Sequence, residues 1–278
     1  MPNTDSQSDA KLKAAVELLG DNDEMVASMA LDTIFKSDKL CDVLVNAQDS
    51  NDENVRRRAQ QLSSMFQQQA LLEHTVTEYE QARLDILDAV INIDLLYDTS
   101  SSIFFLHEQV KKLSDALKTK RKIAIFDELL GYMERSGYYV PPLPWLSIEE
   151  YLIGDVLTGD GAGTPIILAI LAQSTGRRHG CEIAIALCNG FISIINDASI
   201  CILENGWTSR PIDKKDEICV LNPQQLLRLY LSQLVASSIA TWEAYDTHLF
   251  MEIFKLILGI KNDPLPYPFG DAFAPEKK

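Results

Sequence analysis

The sequence predicts an α+β fold that is mostly helical and contains one small antiparallel sheet. Apolar residues recur at helical spacing on both sides of residues 182–203. Within that segment three short apolar runs follow one another, and Asn189-Gly190 between the first two is a strong hairpin signal. The chain has 278 residues, of which 46% are hydrophobic, so it can bury a full core. We therefore expect N-terminal helices, a central sheet and closing C-terminal helices.

A short repeat marks the first helical segment. Residues 22–26, Asn-Asp-Glu-Met-Val, recur as residues 51–55, Asn-Asp-Glu-Asn-Val. Each copy places acidic groups where a helix begins, next to free N–H groups and the positive end of the helix dipole. Apolar stripes follow both copies: Val26, Met29, Ala30, Ile34 and Phe35, then Val55, Ala59, Leu62 and Met65. We interpret residues 1–66 as HEAT-like helical hairpins that cap the rest, because two copies are too few for an independent solenoid.

The sequence predicts further helices in the middle of the chain. The run Gln67–Gln69 marks the boundary after the cap, and a proline-rich stretch over residues 141–144 forces an extended connection. A glycine-rich loop over residues 159–163 precedes an apolar helix, and Pro165 suits the first turn of that helix, where its missing N–H is not needed. The helices predicted here cover residues 71–96, 103–117, 123–136, 148–157 and 165–177.

The sheet and the C-terminal helices complete the chain. Turn residues Asn196-Asp197 and Asn205-Gly206 follow the second and third apolar runs. The predicted strands cover residues 182–187, 191–195 and 199–203, and the predicted helix pair covers residues 223–236 and 239–260. Residues 261–278 are proline-rich, and we expect them to lie extended over the surface.

Composition argues against several classes of function. The net charge of −15 disfavours nucleic acid, and we interpret the basic runs at residues 56–58, 118–122 and 177–179 as helix ends. The chain shows no signal peptide and no apolar run of membrane-spanning length. Its five cysteines lack CxxC spacing, so we expect reduced thiols in the cytoplasm. His74 and Glu78 stand four residues apart without a third ligand, so no metal and no cofactor are predicted.

Four segments in order resemble the bacterial SirB family, whose domain is transglutaminase-like. They are residues 151–157 (Tyr-Leu-Ile-Gly-Asp-Val-Leu), 163–171 (Gly-Thr-Pro-Ile-Ile-Leu-Ala-Ile-Leu), 176–180 (Gly-Arg-Arg-His-Gly) and the hairpin 187–194. The resemblance implies a SirB-like domain over residues 67–260 with a papain-like core. In that arrangement a Cys begins a buried helix, a His lies on one strand and an Asp lies on a neighbouring strand. The helix start lowers the thiol pKa and the carboxylate orients the imidazole.

Carried onto this sequence, the resemblance places other residues at the catalytic positions. Pro165 stands where the Cys would be, Gly190 where the His would be, and Glu204 near the Asp position. The expectation is a degenerate, non-catalytic transglutaminase-like domain, a pseudoenzyme that acts as an interaction or regulatory protein. Its partner would be a protein or peptide, and not a nucleic acid or a membrane. The expected binding region, here called the relic cleft, comprises Gly163, Thr164, Pro165, Asn189, Gly190, Glu204 and Trp207.

Two alternatives remain open from the sequence. The first is a thiol hydrolase or acyltransferase with relocated residues, Cys181 or Cys188 together with His179. The second is a small-ligand or peptide-binding module, in which the loop Gly159–Gly163 at a helix N-terminus holds an anion. Cys201 alternates with isoleucines on an apolar strand, and we expect it in the core.

Overall fold

The computed structural model describes residues 4–21, 23–35, 37, 40–117, 125–144 and 147–259. The chain divides into two compact units, Met1–Leu71 and Leu72–Lys278. The predicted fold class is confirmed: the fold is α+β and mostly helical, with a small antiparallel sheet and C-terminal helices. No helix among the described residues is both long and apolar enough to cross a bilayer. The predicted extended tail, residues 261–278, lies outside the described residues.

The first unit is helical. Its helices are α1 (Thr4–Leu18), α2 (Glu24–Phe35), α3 (Leu40–Gln48) and the first part of α4 (Glu53–Glu80). The predicted stripes supply much of its core, but Met29 and Met65 are 68% and 60% exposed, and their assignment to the stripes was wrong. The core cluster contains Ala15, Leu19, Ala30, Ile34, Leu44, Ala47, Val55, Ala59 and Leu62.

The acidic repeat forms helix N-caps, as its position predicts. The Oδ1 atom of Asp23 accepts a hydrogen bond from the N–H of Met25 at 2.8 Å, at the start of α2. The equivalent Oδ1 atom of Asp52 accepts from the N–H of Asn54 at 2.8 Å, at the start of α4. Each side chain therefore satisfies a backbone donor that a helix leaves unpaired in its first turn.

Two arginines of the basic run at residues 56–58 bind backbone carbonyls within the first unit. Arg56 donates from Nη1 to the carbonyl oxygen of Ser50 at 2.7 Å. Arg58 donates from Nη1 to the carbonyl oxygens of Leu19 and Asp21, the latter at 2.7 Å. These carbonyls follow α1 and α3, so the arginines satisfy backbone acceptors just after helix ends.

Replacing Arg58 by alanine should loosen the end of α1. The variant loses two charge-assisted bonds to backbone carbonyls. This loss should lower the free energy of local opening by on the order of 1–2 kcal/mol. Hydrogen exchange of the last α1 amides should accelerate by roughly five- to thirty-fold. Arg57→Ala is the matched control, because Arg57 Nη2 donates to the Oδ1 atom of Asn54 within the same helix at 3.3 Å. Equal exchange rates in the two variants would contradict this role of Arg58.

The second unit contains the sheet and further helices, and one predicted helix is interrupted. The expected helix over residues 71–96 was wrong, because α4 ends at Glu80 and the next helix begins at Ile86. Ala82 adopts a left-handed conformation with φ of 52°, and Asp85 caps the new helix by accepting from the N–H of Leu87 at 2.9 Å. The helices are α5 (Ile86–Tyr97), α6 (Ile103–Ala116), α7 (Phe126–Arg135), α8 (Ile153–Thr158), α9 (Pro165–Arg178), α10 (Pro223–Thr241) and α11 (Ala244–Ile257).

Two other helix boundaries differ from those predicted. The helix expected over residues 148–157 is a 3₁₀ turn, Ile148–Glu150, followed by α8, because the backbone is extended at Leu152. The break expected near residues 237–238 lies at Trp242, whose φ of 61° ends α10. Ser238 is accommodated inside α10 because its hydroxyl donates to the carbonyl of Val235 at 2.9 Å.

The sheet has five antiparallel strands, in the order β4-β3-β2-β1-β5. The three predicted strands are present, and Cys188 pairs with Phe191 across the predicted Asn189-Gly190 turn. The sequence pattern missed both edge strands, which are only three residues long and pair with β3 and β1. The strands are β1 (Ala184–Cys188), β2 (Phe191–Ile195), β3 (Ser199–Ile202), β4 (Ser209–Pro211) and β5 (Ile218–Val220).

Both faces of the sheet are covered. One face forms a buried cluster of Ala186, Cys188, Ile195 and Ile200, against which Ile218 packs. Strand alternation directs Ile185, Ile194 and Cys201 to the opposite face, and α9 contacts β1 and β2. The segment between β4 and β5 is fixed by a two-bond ion pair, in which Arg210 binds both carboxylate oxygens of Asp216 at 2.8 Å.

Candidate functional site

The relic cleft lies at one end of the sheet. At the other end, Gln173 of α9 donates from Nε2 to the carbonyl of Ile183 at 3.1 Å, just before β1. The start of α9 therefore lies toward the far end of β1, where the Asn189-Gly190 turn begins. α9 also contacts the 3₁₀ turn Leu203–Asn205, which carries Glu204. The residues of the predicted relic cleft therefore lie near the start of α9.

The start of α9 is closed by backbone bonds. Pro165 occupies the first helical position, as predicted. The N–H of Thr164 donates to the carbonyl of Glu150 at 2.9 Å, and the N–H of Gly163 donates to that of Tyr139 at 3.1 Å. The Thr164 side chain is fully buried, and its hydroxyl has no partner among the described residues. The start of α9 therefore carries a proline ring and a buried hydroxyl, and no thiol.

Carboxylates dominate the polar groups around this helix start. Burial raises the pKa of Glu150, and the nearby Glu149 and Asp160 charges raise it further. Burial also raises the pKa of Glu204, against the lowering effect of backbone N–H bonds that include the one from Ile192. In each of these two carboxylates one oxygen, Oε2, is buried without a partner among the described residues. An anion placed here would meet like charges.

The glycine loop at residues 159–163 already contains its own anion. Asp160 accepts from the N–H of Ala162 at 3.0 Å and from the hydroxyl of Tyr139 at 3.0 Å. The backbone bond from Ala162 is the largest cause that lowers the pKa of Asp160, followed by the Tyr139 bond. Its carboxylate thus uses a loop N–H that an external anion would need.

The Asn189-Gly190 hairpin turn is fixed by contacts from outside the hairpin. Asn189 and Gly190 have φ of 51° and 87°, the positive values that this tight turn requires. The Asn189 N–H donates to the carbonyl of Glu217 at 3.0 Å, and Asn189 Oδ1 accepts from the Glu217 N–H at 3.0 Å. Both turn residues are exposed, so the turn joins the segment before β5 instead of lining a closed pocket.

Trp207 and Cys201 are buried residues with structural hydrogen bonds. Trp207 is 7% exposed, and its Nε1–H donates to the carbonyl of Tyr138 at 2.7 Å. The Cys201 thiol donates to the carbonyl of Gly206 at 3.3 Å. Burial, followed by the Glu204 charge, raises the pKa of Cys201 to about 12. Cys201 is thus a core residue, as expected from strand alternation.

The relocated thiol candidates stand on opposite ends of β1. Burial raises the pKa of the Cys181 thiol. Burial is also the first cause that raises the pKa of Cys188, followed by Asp216, while Arg210 lowers it. His179 lies with Nε2 at 2.8 Å from the carbonyl oxygen of Ser114. The charged neighbours of Cys188 are therefore the Arg210–Asp216 pair. The sequence did not reveal this pair, because a strand residue and a loop residue six positions apart carry no periodic signal.

A groove of about 600 Å³ opens at the end of α9 away from the relic cleft. Its apolar wall includes Ile195 and Val220, and its polar rim includes Arg177, Glu182 and Asp197. Cys181 lines this groove, so the buried thiol borders a space that a reagent could enter. Among the described residues, no group of three or more His, Cys, Asp or Glu side chains is arranged to hold a metal.

Comparison of the chain with known protein families, with curated proteins and with solved structures gives no match. The SirB resemblance therefore stays a prediction from the sequence.

Proposed function

We propose that this protein is a non-catalytic interaction or regulatory protein that retains a degenerate transglutaminase-like scaffold. The observation that carries the proposal is the start of α9, where Pro165 stands at the nucleophile position and Thr164 is fully buried. Neither side chain supplies a nucleophile with a lowered pKa. The exposed Gly190 turn likewise lacks a base for this helix start.

The state of the thiols supports the same proposal over a relocated enzyme. Catalytic cysteines need a lowered pKa, but burial raises the pKa of Cys181, Cys188 and Cys201. The ring of His179 is already engaged with a backbone carbonyl. We also propose a cytoplasmic location, because the cysteines with described side chains are free thiols: Cys181, Cys188, Cys201 and Cys219.

Iodoacetamide labelling across pH, with sites assigned by mass spectrometry, tests the proposal. Among the cysteines whose side chains the structure describes, Cys219 should react first because it is exposed, and it gives the internal reference for an accessible thiol. Cys181 and Cys188 should react at least about ten-fold more slowly at neutral pH, because the thiolate is the reacting form and both are buried with raised pKa values.

Fast labelling of Cys181 or Cys188 near about pH 6 would contradict the proposal, since ordinary thiols are protonated there. Loss of that labelling in His179→Ala would identify a thiol–imidazole pair and restore the enzyme alternative. Cys219→Ser is the control that removes the accessible thiol without touching either candidate.

A further inference from the structure

The groove at the end of α9, here called the α9 groove, has the size of a small-molecule site. Its volume is about 600 Å³, and sites for drug-sized ligands run from about 300 to 1,000 Å³. Its lining comes from the end of α9, the residues that lead into β1, the end of β2 with the turn that follows, and β5. Four segments of the second unit thus meet around one space.

The apolar wall of the α9 groove continues the small core of the sheet. Ile195 is 9% exposed and belongs to the buried cluster of the sheet, against which Ala184 packs. Val220, on the edge strand β5, is 55% exposed and extends the wall. Apolar surface that faces water is stabilised when another apolar group covers it. The wall therefore favours a ligand with an apolar body.

The neutral polar groups of the groove are engaged within the protein. Gln173 donates from Nε2 to the carbonyl of Ile183 at 3.1 Å. The Oδ1 atom of Asn196 accepts from the N–H groups of Ala198 and Ser199, at 2.9 and 2.7 Å. These amide atoms serve the protein itself, so the orientation of a ligand depends on the charged residues of the rim.

The charges that remain available in the α9 groove are negative. Arg177 places Nη1 at 3.4 Å from Oδ2 of Asp85, so its positive charge is already paired. Glu182 and Asp197 are exposed, and among the residues that the structure describes neither has a basic group within ion-pair distance. α9 also ends beside the groove, and the C-terminal end of a helix carries partial negative charge. The groove is therefore complementary to a cation.

We propose that the α9 groove binds a small amphipathic amine, with its apolar body on Ile195 and Val220 and its ammonium at the rim with Glu182 and Asp197. An ammonium is a compact charge with three donors, which suits two carboxylates that have no basic partner. An anion of the same shape would meet like charges at the rim. This site is separate from the relic cleft, and it adds a small ligand to the proposed function.

The first test is an NMR titration of the full chain, labelled with nitrogen-15, with 4-phenylbutylamine at about 150 mM salt. The amide signals of residues 180–184 and 195–197 should shift, with a Kd of about 1 mM or below. The uncharged 4-phenylbutanol should bind about five-fold more weakly, and the anion 4-phenylbutyrate should leave these signals in place. The proposal would be overturned by the absence of shifts at about 10 mM amine, or by equal affinities for the amine and the alcohol.

Two sets of variants separate the charge from the apolar contact. Glu182→Gln with Asp197→Asn should weaken binding of the amine by about five- to ten-fold and leave binding of the alcohol unchanged. Val220→Thr should weaken binding of both by about four-fold, because a hydroxyl replaces one methyl group of the wall. The control pair Asp115→Asn with Glu134→Gln removes the same charge from exposed side chains that do not line the groove. Equal affinities of the amine for the two double variants would overturn the proposal.

Cys181 gives a second readout at the same site. Its side chain is buried and lines the groove, so a bound amine should shield it from iodoacetamide. With 4-phenylbutylamine at about ten times its Kd, labelling of Cys181 near pH 8.5 should slow by about five-fold or more. Labelling of the exposed Cys219 should stay unchanged. An unchanged rate at Cys181 would mean that the amine binds elsewhere, and it would overturn the proposal.

The proposed function and the amine site fail separately. Fast labelling of Cys181 near about pH 6 without any amine would contradict the non-catalytic function and leave the NMR titration standing. Conversely, an amine that shifts no signal of the α9 groove would remove this site and leave the thiol result standing.

Discussion

When the pH is raised from about 4 to about 8, the unfolding free energy of the wild-type protein should fall by about 2–3 kcal/mol relative to that of Asp94→Asn. Asp94 is a buried carboxylate, and its pKa is raised from 3.8 to about 6. Burial is the main cause, opposed by the hydrogen bond from the Gly154 N–H and reinforced by Asp155 and Asp98.

The sign follows from proton binding. Because the folded pKa of Asp94 exceeds its unfolded value, the folded state binds the proton more tightly between those two values. Its contribution to stability is complete below the unfolded pKa of 3.8 and is lost as the pH rises through about 6. Asparagine keeps an acceptor for the Gly154 N–H but does not titrate. The unfolding free energy of Asp94→Asn therefore lacks this dependence on pH.

Urea unfolding at a series of pH values, followed by tryptophan fluorescence, measures the difference. All three tryptophans, at positions 145, 207 and 242, belong to the second unit, which contains Asp94. As the pH rises, the unfolding free energy of Asp94→Asn should increase relative to that of wild type. Asp197→Asn, which removes an exposed carboxylate, is the charge-matched control. Parallel curves for Asp94→Asn and wild type would refute this account of Asp94.

Replacing Trp207 by alanine should destabilise the second unit by about 3–5 kcal/mol. The indole is buried and donates to the carbonyl of Tyr138, so the variant loses packing and leaves a backbone acceptor unpaired. Residues next to Tyr138 bind the glycine loop, since the Tyr139 N–H donates to the carbonyl of Gly161 at 3.1 Å. Trp207 therefore supports the loop that precedes α9.

A second substitution separates packing from hydrogen bonding. Trp207→Phe keeps most of the apolar volume and should cost about 1–3 kcal/mol, because the Tyr138 carbonyl loses its donor. Far-UV circular dichroism in urea measures both variants without relying on the indole signal. Trp242→Ala, which changes an exposed ring, should cost far less than Trp207→Ala. A cost for Trp207→Ala below about 1 kcal/mol would indicate that the cavity is solvated and not packed.

The parts of the fold that local chemistry determines were predictable. The Asn189-Gly190 turn needs two positive φ angles, and those two residue types adopt them readily. The repeated aspartates, Asp23 and Asp52, cap helices because their short side chains reach the next N–H groups. In each case the interacting atoms lie within a few residues of one another in the chain.

The parts that depend on distant contacts were not predictable. β4 contains Pro211, which disfavours a strand, and β5 is only three residues long, so neither forms a recognisable sequence pattern, and both depend on pairing with β3 and β1. The same holds for Asp94, where a carboxylate on α5 serves the first turn of α8 across 60 positions of sequence. In the candidate site, the sequence predicted Pro165 in the first turn of α9. It could not predict that the carbonyls of Glu150 and Tyr139 accept the N–H groups of Thr164 and Gly163 just before this helix.

The order of strands has a consequence for how the sheet is completed. β4 and β5 are consecutive in the chain and yet form opposite edges of the sheet, so residues 212–217 connect one edge to the other. The Arg210–Asp216 pair ties the end of this connection, next to β5, back to β4 on the opposite edge. One short connection therefore joins the two edge strands. Since unpaired edges are templates for pairing between molecules, we expect a cut in this connection to loosen the edge strands and to favour self-association.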